Sequence, residues 1–143
     1  MYYWTQKRNQ YALRAIYELS KCIGKGPKKI LEISRAQAIP LRFLEVILGQ
    51  LKGSGLVRSK RGFYGGYYLV GSPKEITVGD IFRFMTRHLT PSDCISCVSI
   101  SKCPLVGNCA FASMWHKVNA AIFNIYDTTT IQDLLDNDAN NSS

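Results

Sequence analysis

Four of the five cysteines in this 143-residue chain fall within 16 residues, as Cys94-x2-Cys97-x5-Cys103-x5-Cys109. A step of six along a regular helix turns successive thiols to different faces, so they converge only on an irregular loop. Pro104, Gly107 and the nearby serines suit such a loop. Clustered thiolates in a reducing compartment suit soft metals. Three chemistries are consistent with the pattern. Structural zinc would take all four sulfurs, and Cys94-x2-Cys97 has the spacing of half a zinc knuckle, although the second half is x5. A disulfide switch needs an exposed low-pKa thiolate, which Lys102 beside Cys103 would favour. An iron–sulfur cluster would take Cys97, Cys103 and Cys109 with a fourth ligand. Spacing alone leaves the three open. Enzymatic use of Cys94-x2-Cys97, as in a thiol oxidoreductase, normally accompanies a βαβ pattern that this chain lacks. With two histidines and no paired carboxylates near either, no catalytic residues are expected and the chain reads as a non-enzyme.

The stretch over residues 30–70 organises the rest. Residues 32–36 make a short helix, and Ala38-Ile39-Pro40 is a turn. Leu41, Leu44, Leu48 and Leu51 then recur at helical spacing and mark a buried face. Arg42, Glu45, Val46 and Gly49 lie opposite, too polar or too small for a core. Gly53-Ser54-Gly55 stops this helix, since glycine takes the left-handed cap readily. Two β-prone runs, 56–59 and 66–70, flank a basic, glycine-rich tip, Lys60-Arg61-Gly62-Phe63-Tyr64-Gly65. This order implies a winged helix-turn-helix, whose second helix reads a major groove and whose wing reaches phosphates or a minor groove.

Charge supports a polyanionic partner. Residues 1–66 hold 13 Lys/Arg against 3 Asp/Glu, whereas residues 67–143 hold 5 against 7. The positive charge therefore sits on the helix-turn-helix half. No apolar run is long enough to span a membrane, and the first residues do not read as a signal peptide, so a cytoplasmic chain is expected.

The remaining elements frame that half. Asn9 is placed to cap a first helix whose stripe is Ala12, Ala15, Ile16, Leu19 and Ile23, with Cys22 beside it as a small core residue. Thr77 is placed to cap a helix that turns Ile81, Phe84 and Met85 to the core. A long helix over 111–126 carries Phe111, Trp115, Val118, Ile122 and Ile125 at the a/d spacing of a helical seam, and is expected to pair with a second copy. A short helix over 131–135 and a frayed polar tail close the chain. The expected class is mainly α with a small β wing, a winged helix-turn-helix plus a dimerisation helix. Within one compact domain the division is a DNA-binding region over 1–88, a cysteine-rich sensor loop over 89–109, and the dimerisation helix and tail over 110–143.

Nearly all of the chain resembles the IscR-type family of bacterial winged-helix regulators, whose relatives include NsrR and CymR. Tyr11-Ala12-Leu13-Arg14-Ala15 resembles the family's first helix, and Leu44-Glu45 lies in its recognition helix. Gly55-Leu56-Val57-Arg58-Ser59-Lys60-Arg61-Gly62, followed by Gly65-Gly66-Tyr67-Tyr68-Leu69, resembles its wing signature. Cys97-x5-Cys103-x5-Cys109 resembles the three-cysteine motif of members that bind iron–sulfur centres. The resemblance implies a homodimeric transcription factor that senses cluster status, iron, nitric oxide, redox state or cysteine supply. It implies an iron–sulfur cofactor of the 2Fe–2S or 4Fe–4S type.

The chain departs from the family in places. Phe63-Tyr64 stands where the wing usually has Pro-Gly, and Ala38 where the turn often has Gly. IscR-like members place a histidine three residues after the last cysteine; here that residue is Ala112, with His116 a turn further on. NsrR-like members use an aspartate of the partner's first helix, and the nearest position here is Gln10. Cys94 is the local candidate for the fourth ligand, with Asp93, Gln10 and His116 as alternatives. On this reading Arg42 and Glu45 address base edges. Arg58, Lys60, Arg61, Gly62 and Tyr64 belong to the wing contact, and Thr5 and Lys7 add backbone contacts.

Overall fold

The computed structural model describes residues 7–86, 104, 105 and 107–142. Helix α1 runs Lys7–Ser20, and its stripe of Ala12, Ala15, Ile16 and Leu19 is buried. Three details differ from the sequence expectation. Asn9 does not cap the helix: it lies inside it, 2% exposed, and its amide donates to Thr86 Oγ1 at 3.1 Å. Ile23 lies beyond the end of α1 and is exposed, and Cys22 is half-buried rather than core.

Helix α2 is Ile30–Gln37, longer at both ends than the expected 32–36. Its first turn is held by the Lys29 N–H donating to Glu32 Oε2 at 2.9 Å. Ala38 ends it in the left-handed region, at φ 52°. The turn is then closed from inside. Ile39 is buried, its N–H reaches the Ser34 carbonyl at 3.0 Å, and Ser34 Oγ donates back to the Ile39 carbonyl at 2.6 Å. Helix α3, Leu41–Ser54, buries Leu44, Ile47, Leu48 and Leu51. Ile47 takes the place in the core expected of Leu41, which is only half-buried. Each fully buried side chain of this size contributes about 1.5–3 kcal/mol of burial free energy, so this leucine-rich face anchors α3 firmly. Gly55 caps α3 at φ 82°.

Strands β1 (Val57–Lys60) and β2 (Gly66–Leu69) pair antiparallel, Val57 opposite Leu69 and Lys60 opposite Gly66. Lys28 extends this ribbon, exchanging both backbone hydrogen bonds with Tyr67 at 2.8 Å. Gly66 makes that approach possible, since a Cβ there would lie 2.5 Å from the Lys28 carbonyl oxygen.

Helix α4, Val78–Thr86, starts on a capping box, with Thr77 Oγ1 accepting from the Asp80 N–H and the Asp80 carboxylate accepting from the Thr77 N–H, both at 3.1 Å. It buries Ile81, Phe82 and Met85, and Phe84 is half-buried. Helix α5 is Ala112–Thr128 and α6 is Ile131–Asn141. The expected stop of α6 at Leu135 is corrected: the helix continues for six more residues through the supposed tail. Asp138 explains this, since it accepts from the Tyr17 hydroxyl at 2.6 Å and lies 3.7 Å from Lys21, both at the end of α1. Phe123 of α5 and Ile131 of α6 join the same buried cluster as α1, α3 and α4. Among the described residues no helix is long and apolar enough to cross a membrane.

Candidate nucleic-acid interface

The outward face of α3 is as its side chains dictate. Arg42, Glu45, Val46 and Gly49 are all exposed, and Phe43 joins them, with its ring 6.3 Å from that of Tyr11. Directly after α3 comes the wing. Arg58 and Lys60 lie two apart on β1 and so project from one face of the ribbon. They and Arg61, Gly62 and Tyr64 are exposed. The tip is a tight turn in which Gly62 adopts φ 112° and its carbonyl accepts from the Gly65 N–H at 3.0 Å. A Cβ on Gly65 would lie 2.1 Å from the Lys60 carbonyl oxygen, so the turn closes only with glycine there. Lys7 is exposed at the start of α1, and Thr5 lies outside the described residues. Sequence reasoning missed Lys29. Its ammonium lies 5.0 Å from the centre of the Phe63 ring and adds a cation at the wing tip. The neighbouring bridge from Lys28 to Tyr67 draws this segment against the wing, and that pairing leaves no local signature in the sequence.

One buried ionic group fixes these elements to each other. Glu18 of α1, 4% exposed, accepts from the Lys28 ammonium and, at 2.7 Å, from the Gln37 side-chain amide at the end of α2. Lys21 stands 3.7 Å away. Burial alone would raise the Glu18 carboxyl, but the bonds from Lys28 and Gln37 and the two nearby positive charges hold it below its ordinary value. The Lys28 ammonium is correspondingly raised, its bond to Glu18 outweighing the cost of burial. Because the Lys28 backbone is also paired with Tyr67, the same residue ties α1 and α2 to the wing.

Of the thiol cluster, Cys94, Cys97 and Cys103, with Asp93, lie outside the described residues. Cys109 is a free, half-buried thiol immediately before α5, and its carbonyl accepts from the Ala112 N–H at 3.3 Å. This bond ties the Cys109 backbone to the first turn of α5. Gln10 is half-buried on α1, and His116 is exposed on α5.

Helix α5 divides the expected seam. Trp115 and Ile122 lean on the chain's own core. Phe111, Val118 and Ile125 point outward, 62%, 36% and 61% exposed, and Met114 extends the row. Met114 was absent from the sequence reading, although its spacing of three from Phe111 and four from Val118 marks it.

Comparison with known proteins agrees with this architecture. A family model described as Rrf2, iron-dependent transcriptional regulator, matches residues 5–137. The HTH-type transcriptional regulator CymR of Bacillus subtilis is 31% identical over 127 residues, covering 89% of this chain and 86% of CymR. Among solved structures, T. potens IscR superposes with a TM-score of 0.73 at 30% identity, over 93% of this chain and 86% of that one. The structure of CymR, the global cysteine regulator of B. subtilis, gives 0.72 at 30% identity, over 90% and 93%. These relatives are transcription regulators and not enzymes, and they share the winged-helix fold. The chain belongs to the Rrf2 family of transcriptional regulators.

Proposed function

We propose that the chain is a homodimeric, DNA-binding transcription regulator whose grip on its operator is set by an iron–sulfur cluster held by Cys97, Cys103 and Cys109, with Cys94 as fourth ligand. The observation that carries the DNA-binding reading is the exposed face of α3, with Arg42 and Glu45, standing beside a wing that presents Arg58, Lys60 and Arg61. Arginine can pair bidentately with guanine, and glutamate can accept from cytosine. The donor set suits the cluster: four thiols within 16 residues, one of them on a residue whose backbone is bonded to the first turn of α5. The iron-dependent description of the matching family and the likeness to IscR support the same reading. A bound cluster would supply a state that changes with iron, redox or nitric oxide. Ligation at Cys109, ahead of α5, would then alter how two recognition helices are spaced across the dimer.

The likeness to CymR, named a global cysteine regulator, favours a second reading, a regulator of the same fold that works through thiols or zinc without a cluster. Anaerobic purification followed by an ultraviolet–visible spectrum and by iron, sulfide and zinc analysis separates the two. Broad charge-transfer absorption that disappears with Cys97→Ala, Cys103→Ala or Cys109→Ala, and survives Cys22→Ala, supports the cluster. If Cys94→Ala loses the cluster equally, the site is all-cysteine and local to one subunit. A colourless protein that binds its operator in response to thiol oxidation, or with stoichiometric zinc, replaces the cluster reading with the second.

A further inference from the structure

We propose that the wing tip deforms the DNA it touches, with Phe63 and Tyr64 entering the minor groove together and opening a base step there. The proposal rests on the DNA-binding reading above. Phe63 and Tyr64 are adjacent and 78% and 83% exposed, so neither is spent on the protein's own core. Their rings meet edge to face, with centres 5.0 Å apart and planes at 86°. The turn that carries them is preset by the Gly62–Gly65 hydrogen bond and by the close packing of Gly65 on the Lys60 carbonyl. Two rings held in water on a tight turn are an unusual use of apolar surface unless something covers them. The surroundings indicate what does. Arg58, Lys60 and Arg61 flank the tip and Lys29 stands over the Phe63 ring, a setting that suits a polyanion better than an apolar protein pocket.

Size then decides the manner of entry. A B-form minor groove is about 6 Å wide. One ring on edge fits that width, but two rings at right angles with centres 5.0 Å apart exceed it once their van der Waals radii are added. The pair enters only if the groove opens. Apolar side chains that open the minor groove partly unstack a base step and bend the duplex toward the major groove. Helix α3, packed on β1, keeps the module seated in the adjacent major groove while this happens.

The test uses the full chain and duplexes that the wild type selects from a random-sequence library. Bending is read by energy transfer between dyes at the duplex ends, and unstacking by 2-aminopurine placed at successive positions under the wing. The wild type is expected to bend the duplex and raise the emission of one probe. The Phe63→Ala/Tyr64→Ala double variant is expected to keep the base preference set by α3 and to lose about tenfold or more in affinity. Its salt dependence should stay as in the wild type, since no phosphate contact is removed. It should also leave the duplex straight and the probe dark. A wild type that binds tightly to a straight duplex with every probe silent overturns the proposal. A double variant that binds and bends like the wild type does the same and assigns the tip to another partner. A wild type that selects no duplex at all overturns the DNA-binding reading, and this proposal with it.

Discussion

The Lys28 ammonium donates to the carboxylate of Glu18 inside the fold, while the Lys28 backbone is paired with Tyr67 of the wing. One residue therefore holds a buried charge on α1 and the edge of the wing ribbon. A buried carboxylate deprived of its cation is costly, by about 3 kcal/mol or more, because the remaining charge is neither hydrated nor balanced.

Lys28→Met should accordingly destabilise the chain by about 2–3 kcal/mol at neutral pH, a little under that figure because Lys21 and Gln37 stay near Glu18. The pH dependence follows from the directions of the shifts. In the wild type the Glu18 carboxyl is depressed below 4.5, so its contribution is present above the unfolded value and is lost as pH falls through the folded one. The Lys28 ammonium is raised above 10.5, so its contribution is present below that value and is lost as pH rises through the folded one. In Lys28→Met, burial pushes Glu18 the other way, and protonation then relieves the variant. Urea unfolding at pH 7 and at pH 4.5 should show the gap between variant and wild type narrowing at the lower pH. A gap of constant size would mean that Glu18 is not the group responsible.

Ala38→Gly should stabilise the chain by about 0.5–1 kcal/mol. Ala38 is exposed and holds φ 52°, a conformation that costs an L-residue about 1–2 kcal/mol and glycine almost nothing. Part of the gain is offset by the greater freedom of glycine in the unfolded chain. Chemical denaturation reads the result, and an unchanged or lower midpoint would show that the turn is not strained.

What could be read from the sequence was local. Leu44, Leu48 and Leu51 of the α3 face, the stop at Gly55 and the cap at Thr77 each lie within a few residues of their partners, and each is found as expected. The misread positions have distant partners. Asn9 looks like a cap until Thr86, 77 residues away, is found beside it. The polar end of α6 looks frayed until Tyr17, 121 residues before Asp138, is placed against it. The same holds for the candidate interface. The outward face of α3 follows from helical period alone, whereas Lys29 over Phe63 depends on a strand bridge between Lys28 and Tyr67.

Tyr17→Phe tests the anchoring of α6 directly. The lost hydrogen bond is worth about 1 kcal/mol. The Tyr17 hydroxyl is raised to about 12, first by burial and then by the Asp138 bond, so it stays protonated and donating at any pH below its ordinary 10. The expected effect is a small fall in global stability with faster amide exchange confined to residues 138–142. Uniform exchange across α6 in variant and wild type would mean that the helix holds without this contact.

Lys60→Ala should weaken binding to specific and random duplexes alike and flatten the dependence of log affinity on log salt by about one unit, the signature of one phosphate contact. Glu45→Ala should act differently. Removing a carboxylate from α3 takes away an acceptor for cytosine and a repulsion from phosphate, so discrimination at one or two base pairs should relax while non-specific affinity holds or rises slightly. Titrations at several salt concentrations against a panel of single-base variants check both. A Lys60→Ala slope equal to the wild type's would remove the wing from the interface, and an unchanged preference profile would do the same for Glu45.

The outward row of α5 gives the last prediction. Phe111, Met114, Val118 and Ile125 stand exposed on the single chain, while Trp115 and Ile122 of α5 pack inward. A charge placed on the exposed row should leave the protomer's own core intact but oppose burial against a second copy, because an unpaired carboxylate in an apolar interface is strongly disfavoured. Val118→Asp and Ile125→Asp should therefore shift the chain from dimer to monomer in sedimentation at micromolar concentration, with the helical content of the protomer retained. Operator binding should weaken by about two orders of magnitude or more, since two linked half-site contacts become two independent ones. A charge at Phe123, which is buried in the protomer, should instead cost stability of the fold itself. If Val118→Asp and Ile125→Asp sediment as the wild type does and bind the operator equally well, the second copy is not held by this face of α5.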